Sequence, residues 1–252
     1  CRFMKNKKGK TELSYNPQLT VDKKGFILAN DVCNDTHDIN QLQPQVLQTK
    51  ENIGSLSENI PWNFDYGYFS GENIAFLDCK KIDGYIPDHE LAVAMKGKKA
   101  KQNYIDTLTY NKESDTFITP EGESFTFVSE YTETKRKKKV VRRKYVLKRN
   151  NNVVKIIKPH KHVLERYDMY KKMRTLEGRE IYKNRFQTVE PVIGDIKENK
   201  GVINFLTRSL ETVKTEFNLV CAAHNIKRVY NESKKDIQVI VRYFLLEFCY
   251  TA

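Results

Sequence analysis

Glu190 stands between Val189 and Pro191, five residues after Arg185, eight after Tyr182 and seven before Lys197. An acid with a tyrosine, an arginine and a lysine within two helical turns suits metal-assisted phosphodiester chemistry. A carboxylate oxygen is a hard ligand for Mg²⁺, and Arg and Lys hold phosphate oxygens. The same spacing also suits an ordinary salt-bridged surface helix. A second acid, Asp65, follows the strand-like run "NIPWNF" and precedes "YGYFS". The C-terminal ends of strands in α/β sheets commonly hold ligands. An Asp capping the turn before Gly67 is the plainer reading of Asp65.

These residues need elements to position them. Thr188 reads as an N-cap that would put Glu190 and Pro191 in the first turn of a helix, where a proline's missing N–H does little harm. In an α-helix Lys197 would then share a face with Glu190. Tyr182 and Arg185, three apart, would share a face upstream. Residues 13–88 read β-β-α-β-α-β. Strands at 13–22 and 26–33 flank the turn "DKKG"; Asp38 is a plausible N-cap for "INQLQPQVLQTKENI", with Pro44 in or near its first turn. Ser70 caps "GENIAFLDCKKI", and short strands lie near 59–70 and 83–88. A hairpin followed by βαβ crossovers implies a mixed sheet with helices packed against it. Residues 89–158 alternate short Thr-, Phe- and Val-rich runs with turn residues and read as an antiparallel β-rich insertion. From about 162 the chain reads as helical. Leu206, Leu210, Val213, Phe217, Val220 and Cys221 form one stripe at alternating spacings of four and three.

Charge separates the two parts. Residues 1–88 carry 10 Lys/Arg against 12 Asp/Glu; residues 89–252 carry 34 against 20, and the whole chain is +12. The basic excess in the second part favours a polyanionic partner. It is densest in "KRKKKVVRRKYVLKR", 10 basic residues in 15. Folded as a hairpin, this run would bring Lys137, Lys138, Arg142 and Arg143 to phosphates with salt-sensitive, sequence-independent affinity. Lysines blocking a sheet edge are the plainer reading. Five scattered cysteines without a C-x-x-C exclude a zinc ribbon and a disulfide framework, and fit a reducing cytoplasm. The apolar tail "IQVIVRYFLLEFCY" is too short to span a bilayer, so no membrane partner is expected. "PHKH" at 159–162 reads as a loop or helix start rather than a metal-binding pair. Trp62 and the tyrosines near Asp65 read as core packing rather than base-stacking platforms.

Taken together, "Y-x-x-R-x-x-x-x-V-E-P-V-x-G-x-I-K-E-N", the following "FLTRSLETVKTEFNLVCAAHNIKRV", and the upstream blocks "RFMKNKKGKTELSYNPQLTVD", "NDTHDINQLQP", "FDYGYFSGENI" and "IDGYIP" resemble DDE transposases of bacterial insertion sequences. The resemblance runs from residue 2 to about 230 and is weakest at 125–160. It implies an α/β, ribonuclease H-like mixed sheet flanked by helices, interrupted by a β-rich insertion and ending in a helical part. The implied division is 1–88 and 159–230 for the catalytic core, 89–158 for the insertion and 231–252 for a tail. Asp65 and Glu190 would be the second and third acids of a catalytic triad holding two Mg²⁺ (or Mn²⁺) ions. Tyr182, Arg185 and Lys197 complete the family's Tyr-Arg-Glu-Lys signature, with the Arg-to-Glu gap one residue longer than the commoner spacing. The first acid is expected on a strand preceding residue 2, so the chain reads as N-terminally incomplete, with weak or no activity of its own. Asp22 and Asp38 read as structural. Relatives often open the insertion with Cys-Pro-Glu-Gly; here it is Thr119-Pro120-Glu121-Gly122, so no zinc is expected.

The implied function is cleavage of DNA at the element's ends and transfer of the freed strand to target DNA. A homodimer on DNA and a cytoplasmic, nucleoid-associated bacterial location go with it. A non-catalytic DNA-binding remnant of a transposase is the alternative, and a nuclease of the same fold would differ in lacking strand transfer.

Overall fold

The computed structural model describes residues 1–5, 9–54, 60–99, 104–135, 138–202 and 204–249. The chain divides into two units, one of residues 1–56 with 183–252 and one of residues 57–182.

In the first unit, β1 (Arg2–Lys5) and β2 (Thr11–Ser14) form one antiparallel pair, β3 (Asn16–Val21) and β4 (Ile27–Cys33) another. The β3–β4 turn is tied by Asp22, whose Oδ1 accepts from the N–H groups of Lys24 (2.9 Å) and Phe26 (2.8 Å). Gly25 closes that turn at φ +82°, the left-handed region that favours glycine. Asp22 is thus structural, as its sequence suggests. A 3-10 turn at Asp38–Asn40 leads into α1 (Leu42–Ile53). Pro44 falls in the first turn of α1. Asp38 does not cap that helix: its Oδ1 is taken by the side-chain amides of Asn16 (2.7 Å) and Gln18 (3.0 Å) on β3.

In the second unit, β5 (Trp62–Asn63) runs parallel to β6 (Gly84–Tyr85), with α2 (Gly71–Cys79) as the crossover. Ser70 caps α2 by accepting from Asn73 N–H at 3.1 Å. The parallel and antiparallel pairings of the sequence reading both occur, in separate two-stranded sheets among the described residues. Asp88 caps α3 (His89–Ala94) through Leu91 N–H and also holds Arg174 at 2.5 Å. The β-rich region is a five-stranded antiparallel meander of β7 (Thr109–Asn111), β8 (Thr116–Ile118), β9 (Ser124–Lys135), β10 (Lys138–Arg149) and β11 (Asn152–Ile157), each strand bonded to the next. Aromatic residues recur on one face of it, and Tyr110, Phe117, Phe125 and Tyr145 bury there with Leu147, Ile157 and Val163. A Tyr145 ring stands edge-on to Phe117 at 4.9 Å, a geometry that adds about 1 kcal/mol beyond area burial.

The helical part consists of α4 (Val163–Arg174), α5 (Leu176–Gly194), a π-helical turn (Asp195–Asn199) and α6 (Leu210–Cys249). Thr188 lies inside α5, not at its start. Its hydroxyl bonds back to the carbonyls of Asn184 (3.1 Å) and Arg185 (3.3 Å), which satisfies it without ending the helix. Pro191 is therefore interior as well, and its nitrogen cannot donate to the Gln187 carbonyl one turn back. Leu206 also departs from the expected stripe: it precedes α6 and is 91% exposed. From Leu210 onward the stripe holds. Val213, Phe217 and Cys221 bury against Ile27, Val32, Val192 and Ile196.

Candidate functional site

Glu190 projects from α5 with its side chain 51% exposed, and Arg185 Nη1 lies 3.4 Å from its Oε1. Residues five apart lie roughly 140° apart around a helix, so this contact depends on the reach of the long arginine side chain. Arg185 itself is mostly covered. Lys197 is exposed and sits in the π-helical turn, whose wider i→i+5 spacing takes it out of the α-helical register with Glu190. Val192 and Ile196, four apart on the opposite side, are buried and seat this end of the helix on α6 and the β3–β4 hairpin.

Asp65 and Tyr182 belong to the other unit. Asp65 follows β5 by two residues and caps the 3-10 turn Tyr66–Tyr68, accepting from Tyr66 N–H at 2.7 Å. The capping role read from the sequence is realised, at the strand end where a ligand-binding acid was also expected. Tyr182 is buried on α5, next to Ile181, whose carbonyl accepts from Asn63 of β5 at 3.2 Å.

The basic hairpin forms. β9 and β10 pair from Lys135↔Lys138 inward to Phe125↔Leu147. Lys137 and the side chain of Lys138 lie outside the described residues. Arg142 pairs with Glu133 and donates to the Lys158 carbonyl at 2.9 Å. Arg143, 15% exposed, donates to Asp115 Oδ2 at 2.6 Å, with its guanidinium 4.6 Å from the centre of the Phe127 ring. The Tyr110 and Tyr145 hydroxyls donate to Asp115 Oδ1 at 2.8 and 2.7 Å. Burial, then the hydrogen bond to Asp115, pushes the Tyr110 hydroxyl up to about 12, so it stays a donor throughout the ordinary pH range.

Two residues of α6 escaped the sequence reading, although they continue its stripe. His224 is only 4% exposed; one ring nitrogen lies 2.9 Å from Asp195 Oδ2 and the other 2.9 Å from the Gly25 carbonyl oxygen. The Asn225 amide accepts from Ile27 N–H (2.9 Å) and donates to the Ile27 carbonyl (2.8 Å). The signal was a polar pair at the next position of an apolar stripe, three residues beyond Cys221.

The donor chemistry of Asp65 and Glu190 suits a hard divalent cation. Among the described residues no three His, Cys, Asp or Glu side chains gather as metal-holding groups do. No helix among them is long and apolar enough to cross a membrane.

Residues 118–230 match the family described as the transposase DDE domain. That stretch is similar to the DDE transposases. The matched stretch includes the β9–β10 hairpin, Glu190 with its arginine partner, and the His224–Asn225 pair. No curated protein and no solved structure matches the chain.

Proposed function

We propose that this protein is the transposase of a bacterial insertion sequence, cutting DNA at the element's ends and transferring the freed strand. The observation that carries the reading is the pairing of Arg185 with a half-exposed Glu190 inside the stretch that matches the DDE domain. In this reading the fold is ribonuclease H-like, and Glu190 and Asp65 are carboxylates that hold Mg²⁺ or Mn²⁺. A divalent ion so held lowers the pKa of an attacking water or hydroxyl and offsets charge on the leaving oxygen. The chain's own residues bind and orient the DNA. Arg185 steadies the Glu190 carboxylate. Lys197 supplies an exposed positive charge one to two turns along, and Tyr182 is buried on the same helix.

DNA contact is further assigned to the basic hairpin, at Lys137, Lys138, Arg142 and Arg143. The two arginines already hold Glu133 and Asp115. They can lend a phosphate only their remaining donors, so the lysines carry the larger share. A homodimer on DNA completes the proposal.

Mn²⁺ titration of the 252-residue chain, followed by electron paramagnetic resonance, tests the reading. Glu190→Gln and Asp65→Asn are each expected to weaken Mn²⁺ binding by at least tenfold while leaving DNA retention in a gel intact. Unchanged Mn²⁺ binding in both variants, with DNA still retained, would favour a non-catalytic DNA-binding protein instead.

A further inference from the structure

The His224 ring faces two acceptors. Gly25 offers a carbonyl oxygen, which cannot donate. Asp195 offers a carboxylate; although burial opposes its ionisation, hydrogen bonds from Asn199, His224 and Lys227 and the charge of Lys200 hold it well below the usual carboxylate range, so it too only accepts. One ring therefore spans a carboxylate and a backbone carbonyl that belong to two different elements.

Other groups share the same two acceptors. Lys227 Nζ and Lys200 Nζ lie 3.3 and 3.4 Å from Asp195, Asn199 donates to Asp195 Oδ1 at 2.9 Å, and Arg228 Nε donates to the Gly25 carbonyl at 3.4 Å. The His224 contacts join α6, the β3–β4 turn and the π-helical turn, all within one unit. Asp195 is five residues after Glu190, about 7.5 Å along the axis at ~1.5 Å per residue. Pro191 has removed one hydrogen bond from the helix between them, so that end needs anchoring from outside.

We propose that His224 is a positioning residue: bridging Asp195 and the Gly25 carbonyl, it fixes the end of the helix that presents Glu190. The proposal rests on the reading of Glu190 as a metal-holding carboxylate. It assigns a role to a residue that touches neither metal nor DNA and acts through Asp195.

Mn²⁺ titration of the 252-residue chain tests it. In Mn²⁺ titration, His224→Gln is expected to weaken binding roughly tenfold in protein whose far-UV circular dichroism shows it folded. Asp195→Asn should do the same, and the double variant should lose no more than either alone, because the two act as one unit. Additive losses would mean separate structural effects and would overturn the proposal. So would unchanged Mn²⁺ binding in folded His224→Gln beside loss in Glu190→Gln, which leaves the metal reading standing. Unchanged binding in Glu190→Gln removes the metal reading itself. If His224→Gln does not fold, Asp195→Asn decides.

Discussion

What a carboxylate can do depends on what already holds its oxygens. Glu190 and Asp195, five residues apart, differ in this respect. Glu190 has one long contact to Arg185 and a half-exposed surface, which leaves it open to a cation. Asp195 is 17% exposed and enclosed by His224, Asn199, Lys200 and Lys227. Its folded-state pKa is depressed below its unfolded value, against the opposing effect of burial. The stability it contributes is therefore fully present above about pH 4 and lost as pH falls toward its folded value. Urea midpoints measured from pH 6 down to 2 should drop below pH 4, and Asp195→Asn should flatten that part of the curve. Tyr182, Arg185 and Glu190 stand out in the sequence by their types and spacing, and the structure adds the contact between Arg185 and Glu190. The sequence misled at Thr188, because a threonine hydroxyl serves a helix start and a mid-helix carbonyl equally well. It hid His224, whose partners are 29 and 199 residues away.

At the level of elements, the β3–β4 turn and the five-stranded sheet each depend on one residue type. Gly25→Ala would place a Cβ in the left-handed region and against the Arg228 guanidinium. The side chain can move aside, but the backbone cost remains, about 1–2 kcal/mol, readable as a lower urea midpoint with an unchanged slope. Arg143→Ala would strip Asp115 of its charged partner in the sheet and uncover the Phe127 ring. A loss of about 3 kcal/mol in thermal or urea unfolding is expected. A variant that instead keeps its stability and loses DNA affinity would show that Arg143 spends its charge on phosphate. Element types were readable where periodicity was strong: the hairpin, α1, α2 and the stripe of α6. The start of α6 was not, because Leu206 matches the stripe while its N–H is drawn off by Glu216 at 2.9 Å. The order of the five strands was out of reach too, since alternating short runs show that strands pair without showing which ones.

For the whole molecule, the charge asymmetry is the property that a partner would feel first. DNA affinity should fall steeply with salt, and removing Lys139, exposed on β10, should reduce the slope of log K against log salt by about one while sparing sequence preference. Binding isotherms between 50 and 200 mM salt, roughly the range over which such slopes are measured, check this. One further property follows from how β4 is covered. Besides its pairing with β3, some of its peptide groups are met by side-chain amides: Asn225 at Ile27, Asn52 at the Leu28 carbonyl (2.8 Å) and Gln48 at the Asn30 carbonyl (3.1 Å). Amides of this kind imitate a neighbouring backbone and close the ribbon to intruders. Replacing Asn225 and Asn52 by leucine would strip that disguise, and light scattering should then report chains recruiting one another along β4.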